Sequence, residues 1–365
     1  MLIDLAPRSS STDVRAANTQ RVLDVLRSSA NEWMTVRVLS EVSGISRPTV
    51  TRVCESLVEA GWAAVNEGVS QGVGRPAREF RFRAEHRSVA TVILRPDEVR
   101  CQIGDLSGEA LASHHQPGLD LTDPGAAAQA VADAVKRTQE LAGTSTLPAS
   151  LVCSVPGLVT PNGDIWTSVD APGWVNSDLA HQVRRLLPST RLSLANESHL
   201  AAQAELNHGT LRGVDSAIYL HSARSFDPVA IVGGRVYTGA NGAAGTSGGF
   251  DLRPLLKGTL GLEELIFIHE GGDKVATERI TEYIDATCHL VALLISAFDP
   301  SLVVFGGVLS KVRDIVAPRL ERELATMLRR PPLLVNAGLS LDAAPLRGGL
   351  DLALAELDLE HIAAF

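Results

Sequence analysis

Arg47, Thr49, Thr51 and Arg52 sit together in the stretch GISRPTVTRVCESLVEAGW. Guanidinium forks pair with guanine edges, and short hydroxyls reach bases or phosphates, so this set suits a DNA major groove. Related chemistry follows in QGVGRPAR, where Arg75 is held between Gly74 and Pro76. An arginine held that way can lie flat in a minor groove, where narrow A·T-rich DNA concentrates negative potential. With Ser46, the expected DNA contacts are Ser46, Arg47, Thr49, Thr51, Arg52, Gly74, Arg75 and Pro76.

These side chains need elements to aim them. Val36, Leu39 and Val42 fall at helical spacing and predict a short supporting helix, with Gly44 as the turn. Ser46 is the expected N-cap of a second helix, and Pro48 fits its first turn. Val50, Val53, Cys54 and Leu57 form its apolar stripe, and Gly61 ends it. Residues 62–65 and 79–83 alternate like strands around NEGVSQGVGRPAR, which completes a winged helix-turn-helix. The helices alone favour DNA but would also suit a hairpin with a solvated polar face; the wing strengthens the DNA reading. A first helix is expected over Val14–Ser28, with Val22, Leu23, Val25 and Leu26 inward, behind a disordered tail of residues 1–13.

At 365 residues, the chain is long enough for two or three domains. Its 45% hydrophobic and 21% charged composition is that of a soluble globular protein. Residues 1–85 hold eleven arginines, no lysine and ten acids, a balance of +1, so the rest carries −10 of the total −9. Only the front domain is a plausible DNA surface. Cys54, Cys101, Cys153 and Cys288 show no metal-ligand spacing and read as buried free thiols. No signal peptide or membrane-spanning segment is expected, which points to the cytoplasm.

Residues 84–87 read as a short linker. Beyond them the texture becomes α/β. SVATVILR, VRCQIGDL and GEALASHHQ form a meander, followed by a helix over Ala126–Leu141 and the strands SLVCSVPG and RLSLANES, the latter running into a helix over His199–Glu205. SAIYLHSA and VAIVGGRVYTG open a second set, with a helix over Ile280–Phe298, the strand SLVVFGGVLS and a last helix over Ala344–His361. The fold class is therefore α/β with an N-terminal winged helix-turn-helix (14–84) and two ribonuclease-H-like lobes around a cleft, 88–195 plus 344–362 and 196–343. The second lobe is expected to carry a dimerisation surface.

From Asn18 to the last helix, the segments together resemble the ROK family of repressors, open reading frames and sugar kinases. GISRPTVTRVCESLVEAGW with GVGRPA is similar to the DNA-binding half of its repressor branch. SVPGLVTPNGDIWTSVDAPGW, LANESHLAAQAEL, IVGGRVYTGANGAAG and DPSLVVFGGVLS resemble its sugar-side, catalytic, pre-zinc and nucleotide-side segments. The resemblance implies effector contacts at Pro156, Gly157, Asn196, Glu197 and Glu264, with Glu197 at the position of the family's catalytic aspartate.

The departures are as informative. The family's first phosphate loop is replaced by Arg95-Pro96-Asp97-Glu98 and its second by HSARSFDPVA, neither with glycine. Phosphate loops need glycine for backbone N–H groups to approach the phosphates. The Gly-Glu-x-Gly-His motif becomes Gly245-Thr246-Ser247-Gly248-Gly249, and the zinc segment becomes LLKGTLGLEEL, without cysteine. No cofactor and no metal are expected, and Glu197 is a vestigial base. Gly306-Gly307 reads as a tight strand-to-helix turn. Two readings stay open for Asn196 and Glu197, sugar contact or helix N-terminus, and for Glu264, sugar contact or an exposed helix acid.

The expected function is a DNA-binding regulator, dimeric or tetrameric, acting on a double-stranded operator. Its pseudo-kinase body would sense a carbohydrate-related effector. The alternatives are a sugar kinase with a DNA-binding domain, and an effector-independent regulator whose lobes serve only oligomerisation.

Overall fold

A computed structural model describes residues 11–29, 32–67, 77–222, 226–245 and 260–361. At the front, α1 (Ser11–Ser28) packs on α2 (Val36–Ser43) and α3 (Arg47–Glu59). The helix begins at Ser11, inside the segment expected to be a disordered tail. A strand the alternation did not reveal, β1 (Met34–Thr35), joins β2 (Ala63–Asn66) and β3 (Glu79–Phe82) in a sheet ordered β1-β3-β2. Two residues carry too short a pattern to read. Leu39 faces the core as expected, but Val42 is 62% exposed and Ser43 takes the buried position.

The expected linker is a packed joint. Ala84–His86 form a 3-10 turn, the Leu106 amide donates to the Ala84 carbonyl at 3.0 Å, and the His86 ring lies against Trp62. Phe80, Phe82 and Ala84 share one apolar cluster with Val89, Leu106, Leu350 and Leu357. The winged domain is thereby docked on the body, with no composition change to announce it.

Among the described residues, the body holds two five-stranded sheets. The first contains β4 (Ser88–Arg95), β5 (Glu98–Asp105), β6 (Ala110–Pro117), β7 (Ser150–Val155) and β10 (Arg191–Asn196), ordered β10-β7-β4-β5-β6. Between β7 and β10 lie the small hairpin β8 (Leu158–Val159) and β9 (Ile165–Thr167). The second sheet contains β11 (Ser216–Ser222), β12 (Phe226–Val232), β13 (Arg235–Val236), β14 (Leu302–Gly307) and β15 (Leu333–Asn336), ordered β13-β12-β11-β14-β15. In each sheet the first three strands form an antiparallel meander and the last two run parallel to the first. This repeated topology is what the two-lobe reading anticipated.

Strand alternation sends each sheet's two faces to different helices. Ala90, Val92 and Leu94 pack under α4 (Pro124–Ala142) and α5 (Leu179–Leu186), while Val89 and Val152 face α10 (Ala343–His361). Ile218, Leu220 and Phe305 pack under α7 (Leu262–Glu270), α8 (Lys274–Phe298) and α9 (Arg313–Met327). Tyr219 and Val304 face α6 (Glu197–His208). Helix α6 touches both α10 and the second sheet, so it joins the lobes.

Helix α8 corrects one expectation: by length and composition it could cross a membrane. It starts at Lys274 rather than Ile280, with Asp273 as N-cap, and Ile280, Ile284 and Ile295 are buried in the second lobe's core.

Candidate functional site

Helix α3 begins as the sequence predicts, but its cap differs in detail. Ser46 occupies the N-cap position without a side-chain bond to the backbone, and its hydroxyl pairs with that of Thr49 at 2.9 Å. The Thr51 hydroxyl donates back to the Arg47 carbonyl at 3.0 Å, so its proton is already spent. Val50, Val53, Cys54 and Leu57 are buried, which turns Arg47 and Arg52 to solvent, where neither enters an ion pair among the described residues. Gly74, Arg75 and Pro76, the expected wing contacts, lie outside the described residues.

Sequence reading missed Arg78. Its guanidinium stacks over Phe80 and pairs with Glu55 of α3 at 2.9 Å and Glu67 at 3.3 Å. It ties the base of the wing to the recognition helix. Arg81 and Arg83 pair with Glu85, and Arg81 lies over Trp33.

The second site is between the lobes, at the ends of β4, β7 and β10. Arg95, the last residue of β4, is buried and forks onto Glu197, with Nη2 2.7 Å from Oε1 and Nε 3.3 Å from Oε2. Its Nη1 donates to Glu98 at 2.7 Å. Glu98 also accepts from Arg100 at 3.3 Å and lies 2.8 Å from His115 Nε2. The Arg95-Pro96-Asp97-Glu98 stretch therefore does not merely lack a phosphate loop. It supplies a buried guanidinium that is engaged by Glu197 and Glu98. Burial pulls the Glu197 carboxyl upward, but Arg95 outweighs it and holds the group below its ordinary range. Burial likewise opposes the Glu98 charge, and His115 and Arg95 reverse it.

Asn196 caps α6: its Oδ1 accepts from the Ser198 amide at 2.8 Å and the His199 amide at 3.3 Å. Its Nδ2 donates to the Gly157 carbonyl at 3.0 Å, bringing Pro156-Gly157 beside it. Gly157 has φ +118, and a Cβ there would collide with the Thr167 carbonyl. Glu264 forms no hydrogen bond with this group among the described residues. It is exposed and accepts from the Gly261 amide at 2.7 Å, the N-terminal cap of α7. Its neighbour Glu263 is the one whose charge Arg95 feels.

His221 was not singled out by sequence. It is 1% exposed, opposite Asp227 across the β11–β12 pair, and its Nε2 is buried with no hydrogen-bond partner among the described residues. Burial holds it uncharged despite the nearby Glu197 and Asp227 charges. Asp227 accepts from the Ser198 hydroxyl at 2.5 Å.

Residues 246–259, which include most of the 245–249 motif and the first part of LLKGTLGLEEL, lie outside the described residues. Among the described residues no cluster of histidine, cysteine and acid side chains could hold a metal. Burial pushes the thiols of Cys54, Cys101 and Cys153 up to about 12 and that of Cys288 to about 11, so none is a reactive thiolate at neutral pH. Gly306 packs against the Tyr219 ring, and Gly307, at φ +62, has no room for a Cβ beneath the Ser222 carbonyl. The tight-turn reading of this pair accounts for both glycines.

A model of the IclR helix-turn-helix domain matches residues 16–67, and a model of the ROK family matches residues 96–261 and 256–356. No curated protein matches the chain at a significant level. Among solved structures, a ROK family transcriptional regulator described as a homolog of the E. coli MLC protein is similar at 16% identity and TM-score 0.70. The alignment covers 96% of this chain and 100% of that one. A ROK family glucokinase from Streptomyces griseus, in complex with glucose and AMPPNP, is similar at 19% identity and TM-score 0.61, covering 73% of this chain and 99% of that one. A ROK hexokinase from Thermus thermophilus is similar at 21% identity and TM-score 0.57, covering 74% and 99%. These likenesses establish a shared fold.

Proposed function

The chain belongs to the ROK family and is a DNA-binding transcriptional regulator, and we propose that it acts as a repressor whose kinase-like body no longer phosphorylates. The observation that carries the regulator reading is the exposed, unpaired Arg47 and Arg52 on a recognition helix braced by Arg78. Such arginines are positioned for bases and phosphates. Mapping of genomic binding sites with the native chain and with Arg47→Ala tests it. Enrichment at discrete sites that is lost in the variant supports the reading, and the same sites in both would remove α3 from DNA recognition.

The Arg95–Glu197 pair supports the loss of catalysis. A general base must be free to take a proton, and phosphates need donors that approach without a competing acid. Here the base is held by a guanidinium and Glu98 stands beside it.

The cleft is proposed to take a carbohydrate-related effector at Pro156, Gly157, Asn196 and Glu197. Asn196 is already engaged with Gly157 and α6, so a hydroxylated ligand must compete with Arg95 for Glu197. Binding would then loosen the joint between β4 and α6, and α6 lies against α10, which packs on the winged domain's apolar cluster. Glu264 is better placed as a helix cap than as a ligand contact. A thermal shift across a sugar panel tests this: no stabilisation by any sugar would leave the lobes with an oligomerisation role alone.

The partner expected on the second lobe is a second copy of the chain, in a dimer or tetramer. Leu290, Leu293, Leu294 and Phe298 line one exposed stripe of α8, and Phe267 of α7 is 76% exposed. An apolar stripe of this kind needs a cover. Two copies would present two recognition helices to half-sites ~34 Å apart or a multiple of that spacing.

A further inference from the structure

Beside the recognition helix runs a groove of 450 Å³ between α1 and α3. Arg15 and Asn18 line it from α1, and Thr49 and Arg52 line it from α3. Arg15 and Arg52 are both exposed, and neither is paired with an acid among the described residues. The contrast within the domain is sharp: Arg37 pairs with Glu41, Arg78 with Glu55, and Arg81 and Arg83 with Glu85. Arginines that serve the fold are neutralised. Those at this groove are left available for an anion.

We propose that the groove seats a backbone phosphate of double-stranded DNA, clamped by Arg15 and Arg52 at the flank of the segment read by Arg47 and Thr49. The proposal rests on α3 being the DNA reader. Asn18 adds a neutral donor, and Thr49 ties the seat to the start of α3. Two acids also border the groove. Glu55 is answered by Arg78 at 2.9 Å. Glu59 lies two helical turns beyond Arg52, ~10 Å along the axis and about one Debye length away at moderate salt. The favourable end is therefore the one nearest the recognition surface. Helix α1, which the sequence reading used only for its inward stripe, becomes part of the interface. A phosphate held there fixes the angle at which α3 enters the groove without reading sequence.

The test uses the full chain and a random-sequence duplex, with affinity followed by fluorescence anisotropy over a range of salt concentrations. Removing one cation that neutralises a phosphate lowers the slope of log affinity against log salt by ~0.9. Arg15→Ala and Arg52→Ala are each expected to lower the slope, by up to that amount per bound copy because they share one phosphate, and Arg15→Lys to keep it. Arg21→Ala, which removes an exposed arginine from the α2 side of α1, is expected to leave the slope unchanged. An unchanged slope in Arg15→Ala alongside a lowered slope in Arg47→Ala and Arg52→Ala would overturn the seat while leaving the DNA reading intact. An equal drop in Arg21→Ala would reduce the effect to overall charge and also overturn it. Unchanged slopes in all the variants would remove the DNA reading and the seat together. Melting temperatures of the variants guard against loss of fold.

Discussion

Arg95 and Glu197 are 102 residues apart in the chain and form a two-pronged ion pair, at 2.7 and 3.3 Å, between the end of β4 and the start of α6. Both side chains are largely buried, at 8% and 14% exposure. The pair links the end of the first lobe's β4 to the first turn of α6 with the chain's own charges.

Removing one partner leaves the other charge buried. Arg95→Gln or Glu197→Gln should cost about 3–5 kcal/mol in urea unfolding, whereas the double replacement by methionines should recover much of that loss. A cost under about 1 kcal/mol for either single variant would show that the pair holds little of the interlobe joint.

Acid should destabilise the protein in two windows. The folded-state values of His221 and His199 lie below the ordinary 6.5, His221 because burial disfavours its charged form. Stability from keeping them neutral is complete above that value and is lost as pH falls below it. Glu197 and Glu98 are held below 4.5, so their contribution is present above that value and is lost on further acidification. Unfolding midpoints against pH should show both falls, and His221→Gln should shrink the first. A flat profile between pH 7 and 5 would contradict the buried neutral His221.

Purified protein should not transfer phosphate from ATP to glucose or other hexoses. Coupled-assay turnover that disappears in Glu197→Ala would reinstate the kinase reading and require Arg95 to swing away during the cycle.

Arg78→Ala should weaken DNA binding with only a modest loss of stability, about 1 kcal/mol, because its partners are half-exposed. Arg75→Ala should weaken binding most where A·T-rich DNA flanks the site. Equal affinity of both variants with the native chain on a mapped site would leave the wing without a role.

Phe267→Asp and Leu293→Asp place charge on the exposed stripe of α7 and α8. Sedimentation velocity should then show a lighter species than the native chain, and operator affinity should fall because paired half-sites are lost. A native chain that sediments as a monomer would leave the stripe without its proposed partner.

The order of elements was readable because local signals agree. Pro48 and the stripe Val50, Val53, Cys54 and Leu57 specify α3, and two alternating runs specify the wing strands. The same holds for the two meanders, whose strands are each long enough to show their period. The misses were short or relational. Strand β1 has two residues, and Val42 faces outward because Leu39 and Ser43, four residues apart, hold the buried face of α2. The joint at Ala84–His86 looked like a linker because its contacts, to Trp62 and Leu106, come from elsewhere in the chain.

The site divides the same way. By itself the sequence determined that phosphate-loop glycines are missing, that an arginine-bearing recognition helix leads the chain, and that Asn196 and Glu197 begin a helix. These are local facts of residue type and backbone preference. Only the tertiary structure decided that Arg95 is spent on Glu197, that Glu264 caps its own helix, and that Arg15 shares a groove with Arg52. Charge pairing depends on distances of a few ångströms between distant segments, and no residue spacing encodes those distances until the sheets and helices have packed.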